Sequence, residues 1–265
     1  MHIELVTLFP EMVEAAARYG VTGRARDRGV WTLSCVNPRD FATDAHRSVD
    51  DRPYGGGPGM VMLPAPLESA IDAARARIRQ KGRGAATVIY LSAQGEPLTH
   101  RRVVELSGKP ALVLVAGRYE GIDERVVERN IDMELTVGDF VVSGGELPAL
   151  MLIDAVVRHL PGVLNDAQSN IEESFVEGLL DCPHYTRPEI YAGVRVPSVL
   201  VSGDHAAIAR WRRKQALGRT WLRRPELLAA RGMSAEEQRL LDEFKHESAA
   251  DEARVREPRI GGLQS

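Results

Sequence analysis

Residues 111–148 open with the apolar run Ala-Leu-Val-Leu-Val-Ala (Ala111 to Ala116), which breaks at once into Gly117-Arg118-Tyr119-Glu120-Gly121. A helical pattern, Ile122 to Arg129, follows. A second β-like run, Met133 to Val137, then breaks into Gly138-Asp139-Phe140-Val141-Val142-Ser143-Gly144-Gly145-Glu146-Leu147-Pro148. Short apolar runs bounded by glycine have the length of buried strands rather than helices. Glycines at strand ends let backbone N–H and C=O groups approach a ligand closely, and ligands of α/β sheets bind beyond the carboxyl ends of the strands. Two such loops, each carrying a carboxylate among its glycines, predict a small-molecule site.

Working back from this stretch, Thr87 to Leu91 predicts a strand broken by Ser92-Ala93-Gln94-Gly95, a third strand followed by a glycine loop, with a helix from Leu98 to Leu106. Leu67, Ala70, Ile71, Ala74 and Ile78 recur at helical spacing and predict a helix over Leu67 to Arg79. Ile3 to Phe9 reads as the first strand, Pro10 to Arg18 as a helix stopped by Gly20, Trp31 to Val36 as a second strand and Asn37 to Asp40 as a turn. The strand–helix alternation predicts an α/β domain with a mostly parallel sheet. Asp50-Asp51-Arg52-Pro53-Tyr54-Gly55-Gly56-Gly57-Pro58-Gly59-Met60 is too rich in glycine and proline for a helix or a central strand. It lacks the Gly-Lys-Ser/Thr of a P-loop and is not GxGxxG, and its Asp, Arg and Tyr set it apart from a plain linker. It reads as a functional loop that orders on ligand binding.

Forward of the stretch, Ala149 to Leu160 predicts a helix whose last turn carries Arg158, a placement that the helix dipole alone would favour. Asn165 to Glu173 is polar and aperiodic, which predicts an interdomain linker. The domains expected are therefore residues 1–164, a linker 165–173, a small domain 174–247 and a disordered tail 248–265. In the second domain Pro183 and Pro188 forbid a regular helix around Cys182 and His184, two residues too few to argue for a metal. Val194 to Val201 is β-like but interrupted by Pro197. Asp204 is placed to cap a helix from His205 to about Leu217, and Ser234 with Glu237 forms a capping box for a last helix ending near Glu247. Between Arg210 and Arg224 lie Arg210, Arg212, Arg213, Lys214, Arg219, Arg223 and Arg224 without one acid, interleaved with Trp211 and Trp221. In a chain of net charge −3, that one-sign face predicts contact with a phosphate backbone.

The totals agree with a globular protein: 265 residues, 44% hydrophobic and 27% charged. The opening Met1-His2-Ile3-Glu4 has no signal-peptide character, and no run reaches the length of a membrane span. Two cysteines, Cys35 and Cys182, without metal spacing predict free thiols in a reduced, cytoplasmic setting.

Together, Asp50 to Met60, Gly117 to Gly121, Gly138 to Pro148, Leu180 to Glu189 and Arg219 to Leu228 closely resemble the bacterial tRNA (guanine-N1)-methyltransferases, from the N-terminus to about Lys245. The resemblance implies a fold of the SPOUT class: an α/β N-terminal domain with a deep trefoil knot, an exception to the usual unknotted chain, followed by a small, mainly helical domain. It also implies an obligate homodimer whose active sites are built from both subunits. The implied reaction moves a methyl group from S-adenosylmethionine to N1 of the guanosine just 3′ of the anticodon, position 37. Matched to the family pattern, Tyr90, Leu91, Ser92, Gly117, Tyr119, Gly121, Val137, Gly138, Phe140, Val142, Gly144, Gly145 and Pro148 would line the cofactor pocket. Arg158 would offset charge on guanine O6, and Glu120 would lie near the cofactor's methionine end as a candidate Mg²⁺ ligand. Ser169 and Asp181 would stand at the site. Asp50, His184 and Arg187 would contact the tRNA with Arg210, Arg213, Lys214, Arg219, Arg223 and Arg224. The family's general base is an aspartate in Glu-Asp-Ser-Phe; here Glu172-Glu173-Ser174-Phe175 makes Glu173 the matching residue, with one more methylene. Ala93 stands where the family has proline. Three readings compete with this one: a knotted methyltransferase acting on another RNA, a catalytically impaired RNA-binding homologue, and a nucleotide enzyme using the Gly55 to Gly59 loop.

Overall fold

The computed structural model describes residues 1–164 and 173–256, with side chains to residue 249. In chain order the first part runs β1 (His2–Val6), α1 (Pro10–Ala16), α2 (Gly20–Asp27), β2 (Thr32–Val36), a 3₁₀ turn (Pro38–Phe41), β3 (Asp50–Asp51), β4 (Val61–Met62), α3 (Pro64–Gln80), β5 (Thr87–Pro97), α4 (His100–Ser107), β6 (Ala111–Ala116), α5 (Glu124–Asn130), β7 (Met133–Thr136) and α6 (Glu146–Val157). The second part holds a β8/β9 hairpin (Ile190–Tyr191, Val194–Arg195), a 3₁₀ turn (Ser198–Val201), α7 (His205–Arg223), α8 (Pro225–Arg231) and α9 (Ala235–Arg256). The chain divides into two compact units, Met1–Ala167 and Gln168–Ser265.

The first unit is α/β. Its sheet has the order β2-β1-β6-β5-β7, every pairing parallel. The apolar run Ala111–Ala116 forms the middle strand and is buried along its whole length, as a strand covered on both faces must be. Alternation along the strands feeds two cores. Ile3, Leu5, Ile89, Leu112 and Leu114 pack with α1, α2, α4 and α6 on one face. Val6, Val88, Val113 and Val115 pack with α3 and α5 on the other. Trp31 is fully buried, and its indole N–H donates to the Thr22 carbonyl at 2.9 Å.

Several expectations are corrected. Gly20 begins a second helix, α2, instead of only ending the first; that helix buries Thr22, Gly23 and Ala25, small residues that give no apolar stripe to read. Ser92 to Gly95 does not end β5. The strand bulges outward, pairing Leu91 and then Glu96 with the same Leu135, and rejoins the ladder. The helix expected from Ala149 starts at Glu146, because Pro148 is tolerated in a first turn, where no intrahelical donor is lost. In the second unit α7 runs six residues past Leu217, to Arg223. The last helix continues through Ser248 to Arg256, where a tail was expected. Ser169 and most of the expected linker lie outside the described residues, as does the end of the expected tail. None of the helices among the described residues is long and apolar enough to cross a membrane.

The second unit is mainly helical, with α7 packed on α8 and α9 around Leu179, Leu217, Leu228, Leu240 and Leu241. Both caps form as the sequence predicts. Asp204 accepts from the Ala207 N–H at 3.0 Å, while Ser234 and Glu237 exchange backbone-to-side-chain hydrogen bonds at 2.9 and 3.2 Å. Arg213 and Arg231 also converge on Glu237, at 2.5 and 3.0 Å. Burial pushes that carboxyl up, but the Ser234 N–H and the two guanidinium groups outweigh it and hold its pKa down to about 2, against an ordinary value of 4.5. A depressed carboxylate contributes stability that is complete above its unfolded pKa and is lost as pH falls through the folded one. The stability of the second unit's helices against chemical unfolding should therefore fall from pH 4.5 toward 2, and Glu237→Gln should flatten that stretch of the profile. An unaltered profile in the variant would remove Glu237 from the account.

Candidate functional site

The carboxyl ends of β5, β6 and β7 open into one cleft enclosing about 640 Å³ of free space, part of it open to solvent. Every residue matched to the family's cofactor pocket lines it except Gly138, which belongs to the same loop as Val137 and Phe140. The walls come from the β5 end and bulge (Tyr90 to Ala93), the loop Gly117 to Gly121, and the Leu135 to Pro148 segment. Leu91, Leu135, Phe140, Val142 and Pro148 make the cleft largely apolar, and Glu120 is the one carboxylate in its lining among the described residues.

Close backbone approach builds this cleft. The Gly145 N–H donates to the Gly117 carbonyl at 2.9 Å, and a Cβ at Gly145 would stand 2.7 Å from the Ala116 Cα. The second glycine loop therefore lies directly on the end of the middle strand, and a side chain there would push the two apart. Tyr90 is buried beneath them; burial, then the Glu134 charge, raises its phenol pKa while the Ile122 N–H donates to its oxygen.

A second layer joins the Asp50–Met62 hairpin to this loop. The Glu120 N–H donates to the Met60 carbonyl, and the Met62 N–H to the Gly121 carbonyl, both at 3.0 Å. Gly59 is packed under Glu120: a Cβ there would lie 2.4 Å from the Glu120 Oε1. Tyr119, at a left-handed φ of 61°, turns its hydroxyl to Asp50 and Arg39. Burial, then the Asp50 carboxylate, raises its pKa. Asp50 thus meets the cleft wall through Tyr119, whereas Tyr54 at the hairpin tip is fully exposed.

Sequence reading missed the pair that braces these loops. Glu146, the first residue of α6, is 1% exposed. Its Oε2 lies 2.9 Å from the Arg118 Nε, off the line of a proper hydrogen bond, so the contact is an ion pair. Its Oε1 accepts from the Thr7 hydroxyl at 2.8 Å. Arg118 also donates to the Ser143 carbonyl at 3.0 Å and covers the Phe9 ring at 4.4 Å. The only local sign was an arginine among glycines; Thr7 is 139 residues from its partner.

Arg158 is not at the cleft of its own chain. Pro148 lines the cleft and Arg158 caps the far end of the same helix, about 15 Å along the axis at 1.5 Å per residue. Glu173, Asp181, His184 and Arg187 belong to the second unit. The Glu173 carbonyl accepts from the Val176 N–H at 3.4 Å. His184 meets Asp181 at 2.8 Å. With Cys182 they make the one group of three such side chains among the described residues whose ligand atoms lie within 4.8 Å of one another. Asp181 is thus a third potential ligand beside the two residues weighed from sequence. Burial, then the Asp181 charge, pushes the Cys182 thiol up.

The one-sign face of α7 is corrected. The segment holds no acid of its own, but α8, α9 and the turn at Glu177 supply them. Arg210 pairs with Glu243 at 2.6 Å and Lys214 with Glu247 at 2.6 Å, while Arg213 is shared by Glu177 and Glu237, and Arg224 pairs with Glu226. Lys214 is buried. Trp221 lies under the Lys245 ammonium and Trp211 beside Tyr185.

Residues 1–230 match the family described as tRNA (Guanine-1)-methyltransferase TrmD. The chain is 62% identical to the tRNA (guanine-N(1)-)-methyltransferase of Chromobacterium violaceum over 247 residues, 93% of this chain and 97% of that protein. It is 60% identical to the protein of that name from Aromatoleum aromaticum over 252 residues, 95% of this chain and 96% of that one. Against that of Dechloromonas aromatica it is 59% identical over 253 residues, 95% and 100% of the two chains.

Removing one partner of a buried ion pair strands the other charge. Glu146→Ala should therefore cost about 3–5 kcal/mol in urea unfolding, and the double change Arg118→Met with Glu146→Leu should cost less. A Glu146→Ala penalty under about 1 kcal/mol would mean that the pair does not brace the loops.

Proposed function

The chain belongs to the tRNA (guanine-1)-methyltransferase family, and from that premise we propose that it moves the methyl group of S-adenosylmethionine to N1 of the guanosine at tRNA position 37. The observation that carries this reading is the convergence on one cleft of residues matched to the cofactor pocket from three separate stretches of chain. The cleft has the largely apolar lining of a small-molecule site, and its glycine loops offer backbone groups to an adenosine and its methionine end. The chain between β7 and α6 comes back to lie on the end of β6, which supports the trefoil knot of the SPOUT class.

S-adenosylmethionine supplies an electrophilic methyl on its sulfonium. The chain's own residues then have two tasks. Glu173 takes the N1 proton as general base, and Arg158 offsets the negative charge that grows on guanine O6. Asp181, Ser169 and His184 hold the base in place once it has left its stack. Glu120 is suited to Mg²⁺, which takes one or two protein carboxylates and keeps several waters. The nucleotide-enzyme reading of the Gly55 to Gly59 loop is not supported, since that segment is the tip of a hairpin beside the cleft.

Arg158 stands at the wrong end of α6 to serve its own cleft, which supports a homodimer in which it serves the other. Beside the cleft, Leu147 and Met151 on α6 and Phe9 and Met12 at α1 expose apolar side chains, Met151 to 53%. Such a patch on packed helices suits a two-fold interface.

The deciding assay is methyl transfer to unmodified tRNA, followed by digestion and identification of N1-methylguanosine. Glu173→Gln should lower turnover by about 10²–10⁴-fold, the usual worth of a general base, and Glu173→Asp should keep or raise it. Full turnover in Glu173→Gln would mean another base. Absent product with cofactor and tRNA both bound would favour the impaired RNA-binding homologue. In sedimentation the parent should run as a dimer and Met151→Glu as an inactive monomer; an active Met151→Glu monomer would refute the shared site.

A further inference from the structure

Helix α2 grips the end of α6 on both sides of Arg158. One turn before that residue, the Thr22 hydroxyl donates to the Asp154 Oδ1 at 2.6 Å. Just after it, the Arg28 guanidinium donates to the Gly162 carbonyl at 2.7 Å, where the chain turns at a left-handed φ of 75°. Thr22 is itself fixed. It is buried, and the indole N–H of fully buried Trp31 donates to its carbonyl at 2.9 Å. The side chains that α2 buries, those of Thr22, Gly23 and Ala25, are small and add little apolar area to the core, so bulk packing does not account for the two polar ties. Arg158 is the C-cap of α6, and the end of a helix is where it frays. Asp154 and Arg158 stand at i and i+4, on one face of α6, so the tie at Thr22 holds the side of the helix from which Arg158 projects.

We propose that Thr22 and Arg28 are positioning residues for Arg158: by holding α6 at Asp154 and at Gly162, α2 sets the point from which the Arg158 guanidinium reaches the charge growing on guanine O6. This rests on the reading above, in which Arg158 offsets that charge, and adds the residues that keep it in place. A cation helps a transition state most when it needs no rearrangement at the moment of reaction. An arginine has several free torsions, and ordering them costs entropy. A fraying helix end beneath it would add further freedom, and a misplacement of about 1 Å can cost about 10²-fold in rate. Two ties to a helix that is itself pinned by Trp31 remove that freedom from the backbone of the last turn.

The experiment is a double-mutant cycle on the full chain. It reads single-turnover methyl transfer to unmodified tRNA together with the affinities for S-adenosylmethionine and tRNA. Arg158→Ala should slow transfer by about 10²–10³-fold. Thr22→Val, which keeps the side-chain volume, and Arg28→Met should each slow it by about 10-fold, and together by about 10²-fold, with both affinities within about twofold of the parent. Thr22→Ser, which keeps the hydroxyl, should hold the parent rate. In an Arg158→Ala background, Thr22→Val should slow transfer by no more than about twofold, because the residue it acts through is gone. An equal loss in both backgrounds would mean a general structural role and overturn the positioning, as would a Thr22→Val, Arg28→Met double variant at the parent rate. A parent chain that binds S-adenosylmethionine but transfers nothing to tRNA, or an Arg158→Ala variant at the parent rate, overturns the reading beneath, and the positioning with it.

Discussion

The cleft depends on a carboxylate that has been taken out of water. Glu146 begins α6 where the end of β1, the loop after β6 and the loop after β7 come together. An unpaired charge there would cost several kcal/mol. Three features offset it: the Arg118 guanidinium, the Thr7 hydroxyl and the favourable end of the helix dipole. Each ties a different stretch of chain to the same point. The loops are then held close enough that Gly145 can lie against the middle strand, and a side chain would not fit.

What the sequence made legible was what depends on near neighbours. The Ala111–Ala116 strand came out to the residue, because continuous burial leaves a continuous apolar run. The caps at Asp204 and Ser234 could be read for the same reason, since donor and acceptor are three residues apart. The glycine loops announced a site because tight backbone approach has a composition. Distant partners could not be read this way. Nothing near Glu146 pointed to Thr7, and nothing between Arg210 and Arg224 pointed to the acids of α9. A window that counts local charge sees a basic face where the folded unit has matched pairs. The β5 bulge failed for a related reason: whether Ser92 to Gly95 ends a strand or loops out depends on Leu135, which lies on another strand.

The catalytic residues implied by the family resemblance fall into two groups. Those assigned to the cofactor gather within one chain's first unit. Those assigned to proton removal and charge relief lie at the far end of α6 or in the second unit. A rigid, glycine-built cleft suits the first group, since backbone groups hold their place without side-chain ordering. In the proposed reaction the second group would meet a base brought out of its stack, and its residues stand on elements apart from the cofactor loops.

The cations of α7 also differ in how they can change over descent. On the side toward α9 a charge is matched by a partner tens of residues later, so losing one leaves the other stranded. Positions 210 and 243, or 214 and 247, are therefore free to drift only as couples, including reversal of both signs. No carboxylate holds Arg219 or Arg223 among the described residues, and each can be exchanged alone. A single helix thus carries two kinds of record in related sequences: linked substitutions that report its packing, and independent ones that report what lies against it.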